Sequence, residues 1–405
     1  MDELPSPLLK SRIPRKTSLF TRNEQSQIYN LHCPLRKGII CYHQDGAIFE
    51  YNIHSSGKHE PRIIVPKHAS RELETILFIP IKGNRILLFA RYIKFGNTTF
   101  KPFTLHLSIH EIRSDYRVGP ALWSFNGSVD GHNFDIDDLV PIKSTENALG
   151  ITFGVQFDHH WELFDIPTTD TDVSDNFPLI ESGRIDFDLK FKLKWRDDPV
   201  ILSPDGNILL NTDVESDRRN ETIDIHYLDS GGTNLNVNFS FVSRMSIPFP
   251  RDPRQYPNLQ APILAFSADG SKFSMAMARS RVSVWDIRNK VPLKTFMEVP
   301  KSDYHTQPVK YLQFSSGKQG KEALVFVERD NLSSLDIIHV IDATSFETEE
   351  ILPLNLVENT AEYGGVGVLF FDPSGGTLYA ELYGTLYEWD LRKNEPGHEW
   401  WIGEE

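Results

Sequence analysis

Histidine, cysteine and carboxylate clusters are where metal or hydrolytic chemistry would have to begin. His159 and His160 are adjacent, so on a strand they point to opposite faces and cannot share one ion. Cys33 and Cys41 have seven residues between them, with no second Cys or His pair at zinc spacing. No metal site is expected. No Gly-x-Ser-x-Gly elbow is present, so the strained turn that would expose a serine nucleophile is missing. Asp135, Asp137 and Asp138 cluster before Leu139. Paired carboxylates can hydrolyse glycosides, but acids on a polar loop ordinarily serve solvation. Gly364-Gly365-Val366-Gly367 has no following Lys-Ser/Thr and no helix, and so reads as strand or turn glycine rather than a phosphate loop. No catalytic residue and no cofactor are expected.

Binding chemistry is better represented. Arg218, Arg219, Arg251, Arg254, Arg279, Arg281 and Arg329 fall between strand-like runs, and arginine is the side chain suited to bidentate carboxylate or phosphate recognition. Asp213, Glu215, Asp217, Glu221, Asp252, Glu328 and Asp330 lie in the same stretches and oppose that field. The segment from Ile247 to Pro262 carries Pro248, Pro250, Pro253, Pro257 and Pro262 together with Phe249 and Tyr256. Proline stiffens such a loop, and rigid loops that carry aromatics are where binding tends to reside.

These residues need a scaffold. The chain has 405 residues, 40% of them hydrophobic and 24% charged, which is enough to bury a sizeable core. Its net charge of −14 argues against nucleic acid and anionic membranes. No apolar run reaches the ~18–20 residues of a membrane span. Met1 to Arg22 lacks the apolar stretch of a secretory signal. Two cysteines in the whole chain suit a reducing compartment. A cytoplasmic or nuclear protein is expected.

One element recurs: an apolar residue, a small residue or Pro, a turn, then a short apolar strand. It reads LSPDGNILL from Leu202, FSADGSKFSMA from Phe266 and FDPSGGTLYA from Phe371. Glycine supplies the positive φ a tight hairpin needs. Weaker copies begin at Leu31, Phe78, Leu139 and Phe314, so successive starts are 47, 61, 63, 64, 48 and 57 residues apart. An alternating strand follows each copy, at 47–53, 105–112, 161–166, 222–228, 282–287, 336–342 and 385–391. A further apolar run usually comes next, as at 61–65, 121–125, 236–242, 292–299 and 347–354. Seven units of four strands, with almost no helical periodicity, predict an all-β, seven-bladed propeller of antiparallel blades. A pair of β-sandwiches is the competing architecture.

VSVWDIR at Val282 to Arg288 and TLYEWDLR at Thr385 to Arg392 resemble the strand endings of WD40 repeats. FSADGSKF and FDPSGGTL are similar to the preceding strand and turn. The likeness is good over Ala261 to Arg392. The segment Pro308 to Glu347 is similar to one found in uncharacterised WD-repeat-like proteins of fungi and plants. The Gly-His of such repeats is missing from most units, as only Gly131-His132 stands near such a position. The blades must therefore rely on apolar packing rather than the usual buried polar network.

The resemblance implies a WD40-like propeller over residues 23–392, with a segment 1–22 that closes the last blade and a tail 393–405. Leu19 and Phe20 are the favoured closing strand, and Trp400 and Trp401 the rival. It also implies a non-catalytic protein-interaction scaffold. Acidic or phosphorylated segments of protein partners would meet Arg251, Arg254, Arg279 and Arg281, with Phe249 and Tyr256 as apolar anchors. Trp285, Asp286 and Arg288, and again Trp389, Asp390 and Arg392, match the WDxR pattern of receptors that dock on the adaptor of cullin-4 ubiquitin ligases. A substrate receptor of that kind is one alternative function. A propeller hydrolase, which would need carboxylates in a central channel, is the other.

Overall fold

The computed structural model describes residues 6–19, 29–55, 60–68, 72–81, 83–93, 103–129, 139–142, 151–157, 160–166, 180–186, 200–214, 220–228, 239–248, 262–277, 281–296, 309–318, 321–330, 335–353, 365–382 and 384–392. The chain forms two compact units: residues 1–24 with 303–405, and residues 25–302. The described residues are all-β, with no helix.

The larger unit holds five four-stranded antiparallel meanders. The first runs β2 (Tyr29–His32), β3 (Ile39–Gln44), β4 (Ala47–Asn52), β5 (Arg62–Val65). The second runs β6 (Glu72–Ile81), β7 (Arg85–Ile93), β8 (Phe103–Ile112), β9 (Val118–Val129). The third runs β10 (Leu139–Ile142), β11 (Ile151–Phe157), β12 (His160–Ile166), β13 (Ile180–Asp186). The fourth runs β14 (Val200–Leu202), β15 (Ile208–Val214), β16 (Asn220–Leu228), β17 (Phe239–Pro248). The fifth runs β18 (Ile263–Phe266), β19 (Lys272–Met277), β20 (Arg281–Asp286), β21 (Lys294–Phe296).

The smaller unit holds two sheets. One is the meander β22 (Val309–Phe314), β23 (Ala323–Asp330), β24 (Leu335–Asp342), β25 (Glu349–Pro353). The other is β26 (Val368–Phe371), β27 (Thr377–Leu382), β28 (Thr385–Asp390), and its fourth strand is β1 (Arg15–Ser18), from the other end of the chain. Arg15 faces Glu388 and Ser18 faces Thr385. Leu9 forms a bridge with Leu391, and Leu8 and Leu9 are buried in a core with Val325, Val340, Val366 and Trp389. Phe20 and residues 393–405 lie outside the described residues.

Apolar clusters pack between consecutive sheets. Ile223, Ile225 and Met245 of the fourth sheet meet Phe273, Met275 and Trp285 of the fifth. Cys41 and Ile48 of the first meet Ile76, Leu88 and Ala90 of the second. Burying such faces is the main favourable term.

The recurring turn has one chemistry. Buried Ser203 receives the N–H of Ile208 at 2.9 Å, Ser267 that of Lys272 at 2.9 Å and Ser315 that of Ala323 at 2.9 Å. Asp372 does the same for Thr377 at 2.7 Å. In the Ser203 and Ser267 turns an acid two residues on, Asp205 or Asp269, accepts from the serine hydroxyl and closes the loop. Burial alone would raise the Asp269 carboxyl, but hydrogen bonds from the Ser271 N–H and from the Ser267 and Ser271 hydroxyls outweigh it and hold it at about 2. At Gly270 (φ 69°) and Gly375 (φ 69°) the chain is left-handed, which glycine tolerates without strain. A Cβ at Gly375 would also lie 2.6 Å from the backbone nitrogen of Ser316 in the neighbouring sheet. The turn glycine thus lets consecutive sheets approach. These local Ser and Asp bonds supply polar anchoring that was not expected from degenerate repeats.

Candidate functional site

In β8, alternation places Leu105, Leu107 and Ile109 on one face and His106, Ser108 and His110 on the other, and all six are buried. The polar three form a chain. His106 Nε2 lies 3.0 Å from Ser108 Oγ, and Ser108 Oγ lies 2.8 Å from His110 Nε2. His110 Nδ1 is 3.0 Å from the Gly119 carbonyl, and His106 Nδ1 is 2.7 Å from Asn126 Oδ1.

The protons follow from the ends of the chain. A carbonyl only accepts, so His110 donates from Nδ1 and its Nε2 accepts the Ser108 O–H. Ser108 in turn accepts from His106 Nε2–H. Burial pushes both histidines below their ordinary pKa, so both rings are neutral at pH 7. The structure sets Asn126 Oδ1 against Nδ1, so a neutral His106 that donates from Nε2 requires the amide turned over, with its nitrogen facing Nδ1. Ser108 is wholly buried, and its hydroxyl links the two rings.

Both histidines line a cavity of about 410 Å³ between β5 and β9, together with Arg62, Ile63, Pro66, Arg113, Gly119 and Ser124. This volume lies in the range of small-ligand sites, roughly 300–1,000 Å³. Beneath it, fully buried Glu50 accepts from Arg62 Nη2 at 3.0 Å, from Arg117 Nε at 2.9 Å and from the Val118 N–H at 2.6 Å. The carboxylate ties β4 to the start of β9. Arg62 also donates to the Val118 carbonyl, but its Nε–H is shielded from water and has no acceptor among the described residues. No ion pair engages Arg113 among the described residues.

The smaller unit repeats the device. Buried Asp336 on β24 accepts from Lys310 Nζ at 3.2 Å and from the Val366 N–H at 2.5 Å, which joins two sheets. The glycine run belongs here. A Cβ at Gly365 would collide with the Asp336 carboxylate and the Lys310 ammonium, and one at Gly367 with the Glu381 carboxylate. These two glycines make room for the charged groups beside them. Glu350 on β25, with its side chain fully buried, accepts from the Ser6 hydroxyl, from the Leu8 N–H at 2.6 Å and from Arg12 Nε at 3.2 Å.

The two WDxR copies differ. Trp285 stacks on Phe273 at 5.3 Å, while Asp286 and Arg288 pair with each other at 2.8 and 2.6 Å. That hydrogen bond to Arg288 is the largest influence on Asp286 and holds its carboxyl at about 2. The second copy grips the N-terminal segment. Trp389 Nε1 donates to the Arg12 carbonyl at 3.0 Å, and Arg392 Nε donates to the Leu9 carbonyl at 3.1 Å. Asp390 lies 3.8 Å from Lys10 and 3.7 Å from Arg15.

Of the arginine and aromatic surface expected on the loops, Arg281 opens β20 opposite Met277. Phe249, Arg251, Arg254, Tyr256 and Arg279 lie outside the described residues, as do Arg218 and Arg219. Arg329 lies within β23, opposite Asp336. The cavity residues were missed, although the sequence carried a signal. Polar residues at 104, 106, 108 and 110 occupy one face of the strand, opposite Leu105, Leu107 and Ile109, a pattern suited to a polar chain. No known protein-family model matches the chain, and no curated protein matches it.

Proposed function

We propose that the chain forms a single closed, WD40-like propeller of seven blades and acts as a non-catalytic protein-interaction scaffold in the cytoplasm or nucleus. One observation carries this reading. Each four-stranded sheet repeats one order, and the seventh is completed by β1 from the opposite end of the chain. Such a strand leaves only short, protected edges in a ring. The groups best suited to chemistry serve structure: Glu50, Asp336 and Glu350 tie strands together, and the Ser108 hydroxyl is enclosed. Partners bearing acidic or phosphorylated segments engage the loops of Arg251, Arg254, Arg279 and Arg281.

The scaffold reading is preferred to a cullin-4 ligase receptor because both WDxR arginines are already bonded, Arg288 to Asp286 and Arg392 to Leu9. It is preferred to a hydrolase because Glu50 and Glu350 are capped by cations and backbone N–H groups, and Asp336 gives one oxygen to Lys310 and the Val366 N–H.

The test is affinity capture of the intact chain beside an Arg251→Ala/Arg254→Ala variant of equal thermal stability. Loss of specific partners in the variant supports the reading. Full retention, or turnover of a glycoside or peptide by the purified chain, overturns it.

A further inference from the structure

The cavity between β5 and β9 has an unbalanced lining. Two of its residues, Arg62 and Arg113, carry cationic groups, and among the described residues none that lines it is an acid. Glu50 answers Arg62 and Arg117 together, so one carboxylate faces two guanidiniums. Arg113 adds a third cation with no ion pair among the described residues. The shielded Arg62 Nε–H lacks an acceptor among the described residues. A carboxylate in the cavity would restore the balance.

The rim has a second character. Ile63 on β5 and Leu122 on β9 are 53% and 52% exposed. β9 is twelve residues long and ends its sheet, so only β8 pairs with it. The backbone groups of Val118 are taken by Glu50 and Arg62, and Pro120 has no N–H, so the edge that could receive an added strand begins beyond Pro120. Ile63 lines the cavity with both cations, and Leu122 follows the lining residue Ala121 on the outer strand.

We infer that this cavity docks an extended acidic segment of a partner protein, laid along the outer edge of β9 with a carboxylate between Arg62 and Arg113 and apolar side chains on Ile63 and Leu122. The inference rests on the scaffold reading and names one of its partner sites. Backbone bonds to β9 provide affinity, and the arginines select the charge. The neutral His106–Ser108–His110 chain adds no competing acid and fixes the cavity wall through Gly119.

The probe is a short capped peptide of alternating Glu and Leu, titrated into the full chain. The ring signals of His106 and His110 report on the cavity wall itself. The expected result is saturable shifts of both rings, absent for a peptide with Lys in place of Glu. Arg113→Glu should weaken binding by roughly ten- to a hundredfold, the loss of one charge-assisted contact, whereas Arg113→Lys keeps most of it. Leu122→Asp should weaken it without altering the free protein's spectrum. Equal binding of the Glu and Lys peptides, or no shift at either ring, overturns the proposal. So does inorganic phosphate that matches the peptide's affinity and depends equally on Arg113, since the site would then hold a free anion. Failure here leaves the Arg251/Arg254 capture result unaffected, so the two readings fall separately.

Discussion

Glu50 illustrates why single buried carboxylates matter more here than the many acids of the surface. Its oxygens accept from two guanidiniums and from the Val118 N–H. Removing one partner of a buried ionic group leaves the rest unpaired, which typically costs about 3–5 kcal/mol. Glu50→Ala is expected to lower the denaturant midpoint sharply. Arg288→Ala, which breaks an exposed pair, should leave it unmoved. Equal effects would mean that Glu50 is not a tie between sheets.

His339 gives a second residue-scale prediction. Burial alone would lower its pKa, but hydrogen bonds to Glu328 on β23 at 3.0 Å and to Glu349 on β25 at 2.7 Å outweigh this and raise it. The ring also stacks on Phe326 at 4.4 Å. A raised histidine contributes stability that is complete below its unfolded pKa of about 6.5 and fades as pH climbs through the folded value. Wild type should therefore lose more stability than His339→Gln between neutral and alkaline pH, by comparison of chemical denaturation curves. Parallel curves would show that the imidazolium is not bound by the two carboxylates.

At the scale of elements, the N-terminal segment is a strap as well as a strand. β1 completes the sheet of β26–β28, Leu8 and Leu9 fill its core, and Glu350, Trp389 and Arg392 hold the backbone between. Without it the outer edge of β28 is bare and an apolar slot opens. Deleting residues 1–22 should lower the melting temperature and produce concentration-dependent self-association, because an uncovered edge recruits other chains. Leu9→Asp should reproduce the loss of stability. Melting that is unchanged on deletion would transfer the closing role to residues 393–405.

The whole molecule carries opposing pH responses in its two units. In the larger one, burial holds His32 and His43 at about 4 and pushes His106 and His110 below 6.5. These rings fold as neutral bases, so the unfolded chain binds more protons as pH falls. Their contribution is present above about 6.5 and is lost between there and about 4. In the smaller unit, protonation of His339 works the other way. Mild acid should therefore open the larger unit first, which hydrogen exchange at pH 5 and pH 7.5 can read sheet by sheet. Uniform loss of protection across both units would contradict this.

Strand positions were legible in the sequence because alternation is a local property. Val282 to Ile287 became β20, and Thr385 to Leu391 became β28, each within a residue. Ser-Pro-Asp-Gly and Ser-Ala-Asp-Gly fixed their own turns through bonds spanning only two to five residues. The fourth strand of the third sheet, β13, was not read, since Gly183 and Arg184 interrupt its apolar pattern. The strap's grip and the buried acids were invisible for another reason. Glu50 meets its backbone donor 68 residues away, and Glu350 meets Leu8 342 residues away. The sequence alone thus determined the all-β character, the strand periods and the turn chemistry, because neighbouring residues settle those. Only the tertiary structure decided which carboxylates are buried and paired, and that His106 and Arg113 share one cavity, because burial and ion pairing depend on what distant segments bring alongside.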